Sequence, residues 1–162
     1  MEGQKTAYFS EKFLEITVPV TTKEQIKEIK KTVTHIAKKH DEEPYKALAT
    51  TQQAIFHQLE EQDEIDAAAI FDKVFEEKPL AREAAQLAIA EERVPEKIAV
   101  TNVPKYERKY SKQKFKLDNG IEITIPSEIY ENKEMVEFIN NPDGSVSVLI
   151  KNIESILNKF NA

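Results

Sequence analysis

The chain has 162 residues, a formal net charge of −6, and a composition that is 40% hydrophobic and 32% charged. This composition is typical of a folded globular protein and excludes a fibrous or low-complexity one, since a chain of this length buries roughly 70% of its unfolded surface. There is no cysteine, which excludes disulfides, thiolate catalysis and cysteine-ligated zinc. The sequence has neither an apolar run of the roughly 18 residues that cross a membrane nor the apolar core of a signal peptide, so a cytoplasmic location without membrane contact is predicted.

The charge is distributed unevenly along the chain. Residues 97–116 contain seven basic residues and one acidic residue, whereas residues 41–96 contain five basic and fifteen acidic residues. The net acidity alone argues against a nucleic-acid partner. Because the long-range field of a protein depends on where its charges cluster, the basic segment is nevertheless the best place to look for one.

The first part of the chain is predicted to form one strand followed by four helices. Residues 13–20 (FLEITVPV) alternate apolar and polar side chains, as a strand does. Apolar residues then recur at intervals of three and four, which is the helical period. Helices are predicted over about 22–39, 44–60, 65–75 and 79–92.

Capping and proline signals mark where these helices begin. Thr22 and Gln25 have the spacing of a capping box, and Pro44 and Pro79 suit the first turn of a helix. The segment RVPEK at 93–97 ends the helical part. The predicted domains are therefore a lobe over 1–95, with the N-terminal strand and the helices, and a sheet lobe over 96–162 that begins with a short strand near Ile98.

Two hairpins are predicted in the second half, and their registers follow from matching like side chains across each ladder. A three-residue loop, Asp118-Asn119-Gly120, matches the first pair of strands if Gly120 takes a positive φ. The second turn is set by Pro142 and Gly144 in the same way. The predicted pairs are Phe115–Ile123, Lys116–Glu122, Leu117–Ile121, Val136–Ile150, Phe138–Val148 and Asn141–Ser145.

One face of the two hairpins is predicted to be buried. Its members are Phe115, Leu117, Ile121, Ile123, Ile125, Val136, Phe138, Val146, Val148 and Ile150. The closing segment NIESILNKF carries apolar residues at helical spacing, which predicts a terminal helix docked on the sheet. The predicted fold class is therefore α+β: a four-helix lobe, then an antiparallel β-meander of about four strands, then a C-terminal helix.

Two stretches of the chain resemble a known family. They are residues 66–100 and residues 114–153, and the most specific part runs from DNGIEI to NPDGSVSVLIKNI. They are similar to the later part of the bacterial 37-kilodalton nucleoid-associated protein family, in its Gram-positive type, over roughly the last 100 residues. Because members of that family are longer, the resemblance implies that the chain is a C-terminal region. It also implies association with DNA at the bacterial nucleoid and offers no catalytic residues.

The basic segment supplies the candidate DNA-binding residues. With Phe115 and Leu117 facing inward, the side chains of Lys112, Lys114 and Lys116 point to solvent. They are about 6 to 7 Å apart, a spacing that can follow a phosphate backbone. Arg108 and Tyr110 share this parity and are expected to extend the row. The candidates are Lys105, Arg108, Lys109, Lys112, Lys114 and Lys116.

Alternative interpretations remain open for these lysines and for other residues of the chain. The lysines of the strand are equally explained as a solvated face that protects an edge, with Lys116 facing Glu122. The lysine-rich face of the first helix is better explained by helix-stabilising pairs with Glu24 and Glu28. Histidine spacing matches no metal motif and no catalytic motif is found, so no metal, cofactor, small-molecule substrate or enzymatic activity is predicted.

A function of a different class is the alternative to DNA binding. In this alternative the chain is a self-association or scaffold module, a homo-oligomer whose DNA contacts lie in a missing N-terminal domain. The candidate interface consists of apolar residues on the second face of the last hairpin: Met135, Ile139 and Leu149.

Overall fold

The computed structural model describes residues 21–160, and the predicted strand at 13–20 lies outside them. The fold is mixed α and β, as predicted. The helices are α1 (Thr22–Lys39), α2 (Pro44–Glu61), α3 (Ala67–Val74), α4 (Pro79–Ala90), α5 (Val103–Tyr110) and α6 (Ser127–Tyr130). The strands are β1 (Glu64–Asp66), β2 (Lys97–Ala99), β3 (Lys112–Lys116), β4 (Glu122–Pro126), β5 (Val136–Asn140) and β6 (Val146–Ile150). No helix within 21–160 is both long and apolar enough to cross a membrane.

The helix boundaries follow local capping chemistry. α1 begins with a capping box one residue earlier than predicted: the Thr21 side chain accepts from the Glu24 amide, and the Glu24 carboxylate accepts from the Thr21 amide. The reciprocal bond is accepted by glutamate at the third helical position, Glu24. The predicted capping box of Thr22 and Gln25 was therefore wrong by one residue. Pro44 and Pro79 occupy first turns, as predicted.

The third helix starts later than predicted because a short strand precedes it. β1 pairs with β2 in antiparallel register, with Ile65 opposite Ile98, and both side chains are almost completely buried. Asp66 then caps α3 by accepting from the Ala69 amide. The helical core continues from Ile26 through these strands to Tyr106. The division of the chain at residue 95 stays a prediction, and this core extends across it.

Both hairpin registers are confirmed. The ladders pair Phe115 with Ile123 and Phe138 with Val148, as expected from matched side chains. Gly120 and Gly144 have φ values of 94° and 90°, which glycine adopts without steric cost.

The hairpins do not join into one meander, which corrects the predicted four-stranded sheet. β3–β4 and β5–β6 are separate two-stranded sheets within the described residues. The reason lies in α6: its first residue, Ser127, is fully buried and donates through its hydroxyl to the Tyr110 carbonyl. This anchored helical turn directs the chain away from β4 before β5 begins.

The predicted terminal helix and the fully buried hairpin face were both wrong. Residues 151–160 form neither helix nor strand, and an isolated helix of this length is unstable in water. With no helix covering the hairpins, Ile121, Val146 and Ile150 are 54%, 41% and 52% exposed. Of the expected apolar face, only Ile125 and Val136 are buried.

Candidate nucleic-acid interface

Residues Val103–Tyr110 of the basic segment form a helix, which corrects the predicted extension of the lysine row. The Asn102 side chain accepts from the Lys105 amide and caps α5, and proline follows in its first turn. Tyr106 and Tyr110 are four residues apart, so both point inward, with ring centroids 6.1 Å apart. Burial, followed by the neighbouring Tyr106, raises the pKa of Tyr110 to about 12. Arg108 and Tyr110 therefore do not continue a strand.

The outer side of α5 presents three cations. Lys105, Arg108 and Lys109 are exposed and lie at helical neighbour positions. The Lys105 ammonium lies 5.4 Å from the ring centroid of Tyr106, and that of Lys109 lies 6.0 Å from the ring of Tyr110. Such contacts stabilise a side-chain position by about 0.5 to 1 kcal/mol at an exposed site and leave the charge available.

β3 presents the other three cations. Lys112, Lys114 and Lys116 are exposed on one face, while Gln113, on the opposite face, is only 2% exposed. The shared solvent face that the alternation predicted is thus confirmed. No carboxylate within residues 21–160 forms an ion pair with any of the six α5 and β3 cations. This includes Glu122, which lies opposite Lys116 in the ladder.

The corner between α5 and β3 is held firmly. The side-chain amide of Gln52, on α2, donates to the backbone carbonyls of Tyr110 at 3.3 Å and Lys112 at 2.8 Å. The Ser127 hydroxyl donates to the Tyr110 carbonyl at 2.6 Å, and the Ser127 backbone N–H donates to the Ser111 carbonyl at 2.8 Å. The helix cations and the strand cations therefore keep a fixed relative orientation.

Two buried glutamines attach the strand itself to α2. Gln113 donates to the Ala49 carbonyl at 2.9 Å and to the Gln53 side-chain oxygen at 3.3 Å. Gln53 in turn donates to the Ser127 carbonyl at 2.6 Å. This network was not predicted from the sequence. The one signal in the sequence was the polar residue Gln113, which occupies an inward-facing position of β3 between two lysines.

A further exposed cation is found on α1. Lys30 of α1 lines the same groove as Lys114 and Lys116, and it is exposed. Elsewhere on α1, Lys31 lies 3.5 Å from Glu28, so the predicted stabilising pair is present there. The sequence does not connect Lys30 to Lys114 and Lys116, because they are more than 80 residues away and the packing of α1 against α2 brings them to one groove.

The remaining candidate surfaces are less cationic. Met135 and Leu149 are 42% and 45% exposed, while Ile139 is partly buried. A Lys151–Glu137 ion pair of 3.1 Å crosses the same hairpin. Within residues 21–160 no three histidine or acidic side chains are grouped so as to hold a metal ion.

The comparison with protein families supplies the identity. A family model described as nucleoid-associated protein YejK matches residues 1–158, nearly the whole chain. The chain belongs to this family. No curated protein and no solved structure matches it. The match to the YejK family extends beyond the last 100 residues, where the resemblance was seen, into the helical half. The description of this family names association with the nucleoid.

Proposed function

We propose that this YejK-family chain contacts DNA at the bacterial nucleoid without reading base sequence. The contact is made through a basic surface consisting of the three cations of α5, the three cations of β3 and Lys30 of α1. The observation that carries the proposal is the six exposed cations of one short segment, which have no ion-pair partner within residues 21–160 and are held on a rigid corner.

The chemistry of these groups favours phosphate contact over base readout. Six of the seven cations are lysines, whose ammonium groups neutralise phosphates as point charges. Each neutralised phosphate releases condensed counterions, so the logarithm of the binding constant falls with the logarithm of salt by about 0.9 per phosphate. A surface with seven cations predicts a slope of about −6 if all of them engage. The net charge of −6 does not oppose this contact, because the basic residues are clustered.

The test is a titration of a fluorescently labelled random-sequence duplex, followed by anisotropy at several salt concentrations. The wild-type chain should bind with a steep salt slope. A variant with Lys112→Glu, Lys114→Glu and Lys116→Glu should lose affinity, and its slope should become less steep by about 2 to 3.

A matched control separates this surface from the overall charge. Lys38→Glu, Lys39→Glu and Lys73→Glu change the net charge equally at exposed positions of α1 and α3. The control should retain most of the binding. Equal losses in the two triple variants, with folding verified by circular dichroism, would contradict a localised surface.

A scaffold role is the second candidate. It is favoured by the exposure of Met135 and Leu149. In that case the DNA contacts of the family lie outside this chain, and the folded wild type would show no binding to the duplex even at low salt. The same titration therefore tests DNA contact against this alternative, and a scaffold role also requires the chain to associate with itself.

A further inference from the structure

An apolar groove lies between the two hairpins and α2. It encloses about 1090 Å³, and its lining includes Tyr45, Phe115 and Phe138. These three rings are in contact: the centroid of Phe138 is 5.2 Å from that of Phe115 and 5.7 Å from that of Tyr45. The groove thus has a packed aromatic floor, which is large enough to receive several side chains.

The walls of the groove leave apolar surface in water. Ile121, Val146 and Ile150 line it and are about half exposed, at 54%, 41% and 52%. Exposed apolar side chains that line one groove are candidates for an interaction site. It is distinct from the interface predicted at Met135, Ile139 and Leu149, because none of those residues lines the groove.

The last described segment of the chain carries the complementary surface. Ile153, Ile156, Leu157 and Phe160 are 52%, 84%, 81% and 83% exposed. Their spacing of three, four and seven residues from the first places them on one side of a helix, which is the anchor pattern of a helix that docks into an apolar groove. We call residues 153–160 the tail. One chain therefore contains both a groove and a ligand suited to it.

The connection to the tail disfavours docking within the same chain. Only Lys151 and Asn152 separate β6 from the tail, and both are bonded toward β5. The Lys151 amide donates to the Met135 carbonyl at 2.8 Å, and the Asn152 side chain donates to the Glu134 carbonyl at 2.8 Å. Asn152 turns the chain at this point with a φ of 59°, yet Ile156, Leu157 and Phe160 stay exposed and outside the groove. The alternative is an exchange in which the tail enters the groove of another copy. Short connections are known to promote exchange of this kind.

We propose that the tail of one copy folds as a helix in the groove of a second copy, and that the exchange is reciprocal. The tail has no regular structure by itself because a helix of eight residues is unstable without a partner surface. Docking supplies that surface and covers the exposed walls at the same time. The inference does not depend on DNA binding.

The first experiment measures oligomeric state by sedimentation equilibrium. The wild-type chain should form dimers, and Ile156→Glu with Leu157→Glu should weaken dimerisation at least tenfold. Ser155→Glu with Asn158→Glu adds the same charge off the apolar side of the tail and should leave the dimer intact. A monomeric wild type, or equal effects of the two double variants, would overturn the proposal.

The second experiment uses the absence of native cysteine to identify what occupies the groove. Chains carrying Val146→Cys are mixed with chains carrying Leu157→Cys and oxidised, and a covalent heterodimer is expected. A chain that carries both substitutions serves as a further test. An internal disulfide in a monomer of that chain would show that the chain's own tail occupies the groove, and would overturn the proposed exchange. A cross-link from Val146→Cys to an Ile16→Cys chain, in place of the Leu157→Cys chain, would also overturn it.

Discussion

At the scale of single residues, His57 joins two carboxylates from different elements. Its Nε2 lies 3.0 Å from a carboxylate oxygen of Glu131, and its Nδ1 lies 3.4 Å from one of Glu60. Partial burial lowers the pKa of His57, but the hydrogen bonds and negative charges of Glu131 and Glu60 outweigh this and raise the pKa above 6.5. The contact ties α2 to the end of α6 more strongly when the imidazole is protonated.

The raised pKa predicts how stability depends on pH. The stabilisation is fully present below pH 6.5, the pKa of the unfolded state, and is lost as pH rises through the higher pKa of the folded state. Because the side chains are about half exposed, we expect about 0.5 kcal/mol or less. Urea unfolding at pH 5.5 and 8.5 should show His57→Gln to be less stable than wild type only at the lower pH. His35→Gln, an exposed histidine of α1, serves as the control, and a pH-independent loss at His57 would refute the assignment.

The buried amide of Gln113 predicts a larger effect. Gln113→Ala removes its hydrogen bonds to Ala49 and Gln53 and leaves the buried Gln53 oxygen without this donor. The expected loss is about 1 to 3 kcal/mol in the free energy of unfolding, measured by urea titration. Lys114→Ala, the next residue on the exposed face, should change it by no more than about 0.5 kcal/mol. Similar losses at both positions would show that the amide network contributes little.

At the scale of elements, the hairpins were predictable because their information is local. Matched side chains and a glycine at the turn leave one acceptable register, and a slip of one residue would invert the faces. α5 was not predictable from alternation, because the residues from Lys105 to Tyr110 fit the two-residue period of a strand as well as the period of a helix. What decides between them is the Asn102 cap and the inward pair Tyr106 and Tyr110, which pack against a core that the sequence does not display.

The first turn gives a prediction at this scale. Gly120 has a φ of 94°, and a Cβ built there meets nothing within 4 Å. The cost of Gly120→Ala is therefore one of backbone conformation alone, about 1 to 2 kcal/mol in the free energy of unfolding. Gly120→Asn should lose less, because asparagine tolerates the left-handed region. Urea unfolding of both variants tests this, and equal losses would point to a cause other than φ.

At the scale of the whole molecule, α2 connects the helical core to the hairpins. It packs against α1, α3 and α5 on the helical side. Toward the hairpins, Gln52 bonds the α5–β3 corner, and Tyr45 contacts Phe138. The sequence predicted the exposed face of β3 because parity is local. It did not predict the position of Lys30, because that depends on how α1 and α2 pack together.

The groove is lined by Lys30, Lys114 and Lys116 as well as by apolar residues, so its occupant and a polyanion share neighbouring atoms. The two proposed binding events would therefore be thermodynamically linked. By reciprocity, whatever factor a docked tail applies to DNA affinity, DNA must apply to the affinity between copies. A favourable factor would make association self-reinforcing along a duplex, and an unfavourable one would make release of DNA the condition for assembly.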